Sequence, residues 1–299
     1  MIVVPNAIYM ENAFDSLLED RTFIFFDMRK RGRSARVLDR EKLARGVHHD
    51  VEDIEAVRRH LNVEQVDVIG HSYLGYVVAL YAMKHPTSVR RVVQLSPMQS
   101  NFATQYPTHL ANVDAVARQV FAALGQLRSK PPSGDPIDQC RQAWRILKRL
   151  YVADEADAEK IADWRLCHLK NERTMLRHLN EVVMPSVRAP AVADSDFAKA
   201  TMPTLITHGD KDRSAPYGGA CEWAMQLPNA RLVTLSGVAH VPWLEAPELT
   251  LKAIDTFLRG AWPAETEIVK SLSATATRGS VKTSIDPNYR LVQHLEFIG

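Results

Sequence analysis

Val66-Asp67-Val68-Ile69-Gly70-His71-Ser72-Tyr73-Leu74-Gly75 is the stretch that decides the fold of this chain. A β-branched run stops at a glycine, a serine follows two positions later, and an apolar helical run begins at once (Tyr76 to Met83). That order puts the serine at the tip of a strand-to-helix turn, in a strained conformation that lifts its hydroxyl clear of the backbone. Small residues are needed around it because strand and helix nearly touch. The usual pattern is Gly-x-Ser-x-Gly; here Leu74 holds the last glycine position and Gly75 comes one residue later. The turn reads as a serine nucleophile, and so as part of a hydrolase or acyl transferase. The plain alternative is an ordinary strand–helix loop.

Outward from this turn, short β-rich runs alternate with helical stretches, the signature of a parallel sheet with helices on both faces. Strands are expected at Ile2–Val4, Thr22–Phe26, Val66–Ile69, Val89–Leu95, Thr204–Thr207 and Arg231–Leu235. Helices are expected at Glu11–Glu19, Val51–His60, Tyr73–Lys84, Tyr217–Gln226 and Pro247–Leu258. Asp50 reads as the cap of the second of these, which takes His48-His49-Asp50 away from a metal reading. The alternation breaks between Gln99 and Ala200, where only helices are expected: Val113–Leu127, Ile137–Tyr151, Ala156–His168 and Arg173–Val183. A helical block between two strands predicts a lid over the carboxyl ends of the sheet, where ligands bind in open α/β folds. The expected organisation is a sheet core in two parts, 1–98 and 201–260, a lid at 99–200 and a polar extension at 261–299.

The chain's 299 residues suffice for a full core, and 46% hydrophobic with 24% charged residues is ordinary globular composition. A net charge of +2 gives no reason to expect nucleic acid or an anionic membrane as partner. Arg29-Lys30-Arg31-Gly32-Arg33 reads as a solvated turn after a strand. Cys140, Cys167 and Cys221 form neither a metal spacing nor a disulfide framework, which suits a reducing compartment. No apolar run approaches a membrane span, and no basic-then-apolar leader precedes Ile2, so a cytoplasmic location is expected. No phosphate-binding glycine loop or dinucleotide fingerprint is present, and neither metal nor cofactor is expected.

A serine hydroxyl needs a base within hydrogen-bond reach, and the base needs an orienting acid. His240, in Gly237-Val-Ala-His240, follows the last core strand and precedes the last core helix, at the carboxyl edge of the sheet. Among acids, Gly209-Asp210-Lys211-Asp212 follows another strand. Asp212 is the choice because the loop has turned past Gly209, and Asp210 is left to serve the turn. The chain order Ser72, Asp212, His240 is the one this kind of sheet requires. His208 reads as structural and His71 as a support for the turn.

These motifs, together with Asp27-Met28-Arg29 followed by Gly32 and Ser34, resemble the α/β-hydrolase fold superfamily. The likeness is strongest to its lid-bearing branch of esterases and proline iminopeptidase-like enzymes, and it covers Ile2 to Arg259. The resemblance implies a doubly wound, mostly parallel sheet with an inserted helical lid and without the first two strands of the usual fold. It implies a Ser72–Asp212–His240 triad and an oxyanion hole with the Tyr73 N–H as one donor. Relatives carry His-Gly on the loop that supplies the second donor. Here that loop reads Val4-Pro5-Asn6-Ala7, which by position gives the Ala7 N–H, with the Asn6 side chain as an added donor. Asn6, His71, Trp144, Trp164 and Trp243 are the candidate pocket residues.

The reaction expected is hydrolysis of a small carboxylic ester through an acyl-enzyme. An aminopeptidase or amidase, and a C–C bond or lactone hydrolase, stay open, as does a ligand-binding protein of the same fold without turnover. The aminopeptidase reading needs an acidic lid residue for the substrate ammonium, with Asp154, Glu155, Asp157, Glu172 and Glu181 all eligible. The strand-like Tyr289–Ile298 predicts that the extension covers an exposed sheet edge in its own subunit or in a homodimer partner, the alternative being a disordered tail.

Overall fold

The computed structural model describes residues 1–129, 134–161, 166–188 and 192–272. Six strands, β1 (Ile2–Val4), β2 (Phe23–Phe25), β3 (Val66–His71), β4 (Val89–Leu95), β5 (Thr204–Gly209) and β6 (Ala230–Leu235), form one sheet. Their order is β2-β1-β3-β4-β5-β6, and every neighbouring pair is parallel. All six strands fall where the β-branched runs place them. The order reverses between β1 and β3, and the crevice at such a reversal is where ligands settle in open α/β sheets.

Strand alternation divides the core between the two faces. Val3, Val66, Val68, Val92 and Ile206 pack on one face with α1 (Val47–His60), α2 (Tyr73–Lys84) and α5 (Tyr217–Gln226). Ile2, Val4, Ile69, Val93, Leu95 and Leu205 face the other way, against Met10, Phe14, Leu17 and the Ile254–Phe257 face of α6 (Pro247–Leu258). Between β4 and β5 lie α3 (Ala115–Ser129) and α4 (Pro136–Leu147) with shorter turns, and these build a cluster of their own around Val120, Trp144, Leu147 and Cys167.

Four expectations change. The first helix lies at Ala7–Met10, immediately after β1, with only a 3₁₀ turn at Asp15–Leu17. The Ala156–His168 helix is replaced, within the described residues, by a 3₁₀ turn at Glu155–Lys160 capped by the Asp154 carboxylate. Helix α1 begins four residues early, behind Gly46 at φ 51°, so Asp50 lies inside its first turn and does not cap it. The fourth change concerns the cysteines: Cys140 on α4 and Cys167 form a disulfide, with a Cα–Cα distance of 5.6 Å. Sequence spacing hid this because the packing around Trp144, and not a local motif, brings the two residues together.

Beyond α6 the chain crosses to the outer edge of β6, where Glu267 and Leu232 exchange two backbone hydrogen bonds (3.0 and 2.8 Å). The strand-like Tyr289–Ile298 lies outside the described residues. No helix among the described residues is long and apolar enough to cross a membrane.

Candidate active site

The turn after β3 carries Ser72 at φ 55°, ψ −123°, a region costly for a residue with a Cβ, on the order of 1–3 kcal/mol. Its surroundings fix it there: Ser72 N–H donates to Leu95 O (2.9 Å), while its carbonyl accepts from Tyr76 N (3.2 Å) and Met98 N (3.1 Å). A Cβ on Gly70 would stand 2.1 Å from the Leu74 carbonyl oxygen. Close approach is therefore needed at Gly70, whereas Leu74 turns its side chain into the core and is buried there. That is why leucine is accepted at the pattern's last glycine. Gly70→Ala is expected to cost about 2–4 kcal/mol through this backbone clash, as a lowered midpoint in urea unfolding. A change under about 0.5 kcal/mol would mean that the turn has slack.

The loop after β5 brings Asp212 to full burial. Its Oδ1 accepts from the backbone N–H groups of Ser214 (2.7 Å) and Ala215 (2.9 Å). Its Oδ2 faces His240 Nδ1 at 2.7 Å and His208 Nε2 at 3.2 Å. Burial alone would raise this carboxyl, but the His240 imidazole and the hydrogen bonds from His208 and His240 hold it well below the usual carboxylate range. A carboxylate oxygen opposite His240 Nδ1 fixes the proton on that nitrogen. Nε2 then carries a lone pair and has no hydrogen-bond partner among the described residues. The Ser72 hydroxyl does not bond it here, and such contacts often tighten only when substrate arrives. Asp210 instead joins the Ser236–Gly237 turn, accepting from Gly237 N at 2.8 Å.

His71 supports the His240 loop: its Nε2 meets the His240 carbonyl at 2.9 Å and its ring stands edge-on to Trp243, 4.6 Å between centroids. Burial, then the neighbouring His240, push its pKa well below the ordinary value, so it stays neutral. Residues of the β4–β5 segment reach the same place. Tyr151 lays its ring 4.8 Å from that of His240, and its carbonyl accepts the His240 N–H at 3.0 Å. Trp144 bridges Tyr151 (5.9 Å) and Tyr9 (6.0 Å) and is buried in the cluster of its own segment. Trp164 lies outside the described residues.

The oxyanion loop differs from expectation. Ala7 N–H is committed to the Phe26 carbonyl (3.2 Å), Asn6 N–H to Val4 O (2.9 Å) and Ile8 N–H to Asp27 Oδ1 (3.0 Å). Ala7 is therefore not the free second donor, because the exits of β1 and β2 are tied together through it. What stays uncommitted is the buried Asn6 carboxamide, which has no hydrogen-bond partner among the described residues. Across the β1–β3 crevice, the Tyr73 N–H opens α2 with no helical carbonyl to receive it.

The basic run after β2 is not a solvated turn. Arg29 clamps Asp53 through Nε (2.8 Å) and Nη2, and donates to Lys42 O (2.7 Å). Arg31 donates to buried Glu172 (Nε–Oε1 3.0 Å), whose carboxylate also accepts the Gly32 N–H (2.8 Å). The neighbouring Asn171 carboxamide donates to the carbonyls of Arg31, Gly32 and Ser34 (3.3, 3.2 and 2.8 Å). Only Arg33 keeps an exposed ion pair, with Glu11. Asp50, in α1, receives a hydrogen bond from the Tyr73 hydroxyl.

Burial pushes the Asp50 carboxyl up to about 7, against the opposing Tyr73 hydrogen bond and with Asp53 adding to the rise. A folded-state value above the unfolded one (about 4) means full stability below that range, and a loss as pH climbs through about 7. Asp50→Asn removes this titration. Its melting temperature relative to wild type is expected to rise between pH 5 and pH 8; a difference that stays flat would contradict the assignment.

Among the described residues no group of three or more His, Cys, Asp or Glu is arranged to hold a metal ion. The elements above are matched in known proteins. Residues 7–247 fit the family model described as the alpha/beta hydrolase fold. The 2-hydroxymuconate semialdehyde hydrolase of Pseudomonas putida is 24% identical over 252 residues, 81% of this chain and 79% of that protein. The proline iminopeptidase of Heyndrickxia coagulans is 24% identical over 255 residues, 81% and 83% of the two chains. The esterase EaEST of Exiguobacterium antarcticum superposes with a TM-score of 0.64 at 18% identity, covering 87% of this chain and 91% of its own. With its parallel sheet, its strained serine turn and a family match over most of its length, the chain belongs to the alpha/beta hydrolase fold family.

Proposed function

We propose that the chain is a serine hydrolase that cleaves a small carboxylic ester through an acyl-enzyme on Ser72. The observation that carries this reading is the Asp212–His240 pair, whose bare Nε2 lies at the same sheet edge as the Ser72 turn. In the first step His240 Nε2 takes the Ser72 proton as Oγ attacks the ester carbonyl, and Asp212 stabilises the resulting imidazolium. The Tyr73 N–H and the Asn6 carboxamide bind the oxyanion, and collapse expels the alcohol with the proton from His240. Water, activated by the same imidazole, then releases the acid. The helices between β4 and β5 act as the lid, with Tyr151 as its contact to the base.

The acid–base pattern favours an ester over an N-terminal peptide. Of the five acidic candidates, Asp154 caps its own turn, Glu155 pairs with Arg149, Asp157 with Lys160, and Glu181 is exposed. Glu172 alone is buried, and Arg31 already neutralises it. None of these five therefore offers a substrate ammonium an uncompensated carboxylate at the site. Labelling with a fluorophosphonate probe, with turnover of p-nitrophenyl acyl esters, tests the reading. Stoichiometric labelling at Ser72 and measurable turnover are expected; neither label nor turnover would favour a ligand-binding protein of the same fold.

A further inference from the structure

Next to the serine turn lies a narrow cavity of about 10 Å³, lined by apolar side chains together with Arg29, Arg31, Asp50, Tyr73 and His178. Polar groups stand out in this otherwise apolar lining. Asp50 is buried, and the Tyr73 hydroxyl is its one hydrogen-bond partner among the described residues. His178 is 7% exposed, and its buried Nδ1 has no partner among the described residues. Leaving such groups unmatched is costly, so the cavity is built around something that bonds them.

Charge and size narrow the chemistry. Both guanidinium groups in the wall are already matched, Arg29 by Asp53 and Arg31 by Glu172, so neither is free to hold an anion beside Asp50. A cation would have those same guanidinium groups as neighbours. The volume suits one small polar group, about the size of a water molecule. A hydroxyl meets all three conditions: it is neutral, it both donates and accepts, and it needs no more room than this.

We propose that this cavity is a specificity subsite in which Asp50 and His178 hold a hydroxyl group of the substrate, so that the preferred esters are those of hydroxylated aliphatic acids or alcohols. The proposal rests on the serine-hydrolase reading for its activity test but has a second readout that does not. Tyr73 joins subsite to chemistry: its side chain braces Asp50 while its backbone N–H, the first of its helix, directly follows Ser72. A substrate hydroxyl seated against Asp50 is thereby set in register with the reacting carbonyl.

The experiment compares matched substrates within each protein, so that general losses cancel. On the acyl side the pair is p-nitrophenyl 3-hydroxybutanoate and p-nitrophenyl butanoate; on the alcohol side it is 2-hydroxyethyl and propyl butanoate. Wild type is expected to favour the hydroxylated member of one pair by about 10-fold or more in kcat/KM, and which pair responds tells which side of the ester the subsite serves. Asp50→Leu and His178→Leu are expected to bring that ratio to near one, with Asp50→Asn keeping part of it; circular dichroism melts establish that each variant is folded. A wild-type ratio near one for both pairs, or a ratio unchanged in both leucine variants, overturns the proposal and leaves the cavity to an ordered water. If no ester is turned over and Ser72 is not labelled, the hydrolase reading fails separately. Ligand-observed NMR with butane-1,3-diol against butan-1-ol then decides: diol binding lost in Asp50→Leu sustains the subsite, and equal binding of the two in wild type overturns it.

Discussion

Ser72→Gly is expected to abolish turnover and at the same time make the protein more stable. Loss of a triad nucleophile lowers kcat by roughly 10⁴- to 10⁶-fold, because only the oxyanion donors and binding remain. The stability gain has a different origin. Ser72 sits at φ 55°, ψ −123°, where a Cβ is strained and glycine is not. Ser72→Ala keeps the Cβ and so should lose the activity without the gain. Chemical denaturation of the two variants should therefore differ by about 1–2 kcal/mol in favour of glycine. Equal stabilities would mean that the turn holds its serine without strain. Activity within tenfold of wild type in either variant would remove Ser72 as nucleophile.

Asn6→Ala carries the second largest expected effect. If the Asn6 carboxamide is the side-chain donor of the oxyanion hole, its removal should lower kcat by about 100- to 1,000-fold with little change in KM. The interaction is worth most in the transition state, and this gives the split its sign. The competing assignment, the Ala7 N–H, would require its hydrogen bond to Phe26 O to break on substrate binding. In that case Asn6→Ala should stay within about fivefold of wild type, since the backbone donor would survive the substitution. Steady-state kinetics with p-nitrophenyl butanoate separates the two.

The sheet was legible because its evidence is local. Each strand is a β-branched run between turn residues, and the glycine-serine turn carries its own steric reason in Gly70. Asp212 and His240 were legible for a related cause: both sit on loops directly after strands, so chain order stands in for position. What lay hidden depends on contacts between distant segments. Arg31 reads as solvent-facing until Glu172, 141 residues away, is seen against it. Asp50 reads as a helix cap until the helix is found to start at Val47 and Tyr73 to reach across from the serine turn. Ala7 was placed by analogy, and the competing acceptor, the Phe26 carbonyl, lies just past another strand, β2. Charged side chains whose partners are far along the chain give no periodic signal, so sequence assigns them to the surface by default.

Asn171 and Glu172 hold the loop at 31–34 through three backbone carbonyls, one backbone N–H and a guanidinium. Four of those five groups are main-chain atoms, present whatever the side chain, proline's missing N–H aside. The side chains at positions 33 and 34 can therefore be exchanged without undoing the clasp, whereas Arg31, the counter-ion of buried Glu172, and the pair at 171–172 cannot. The hold on the helical segment thus runs through the shape of a main-chain loop and a single charge.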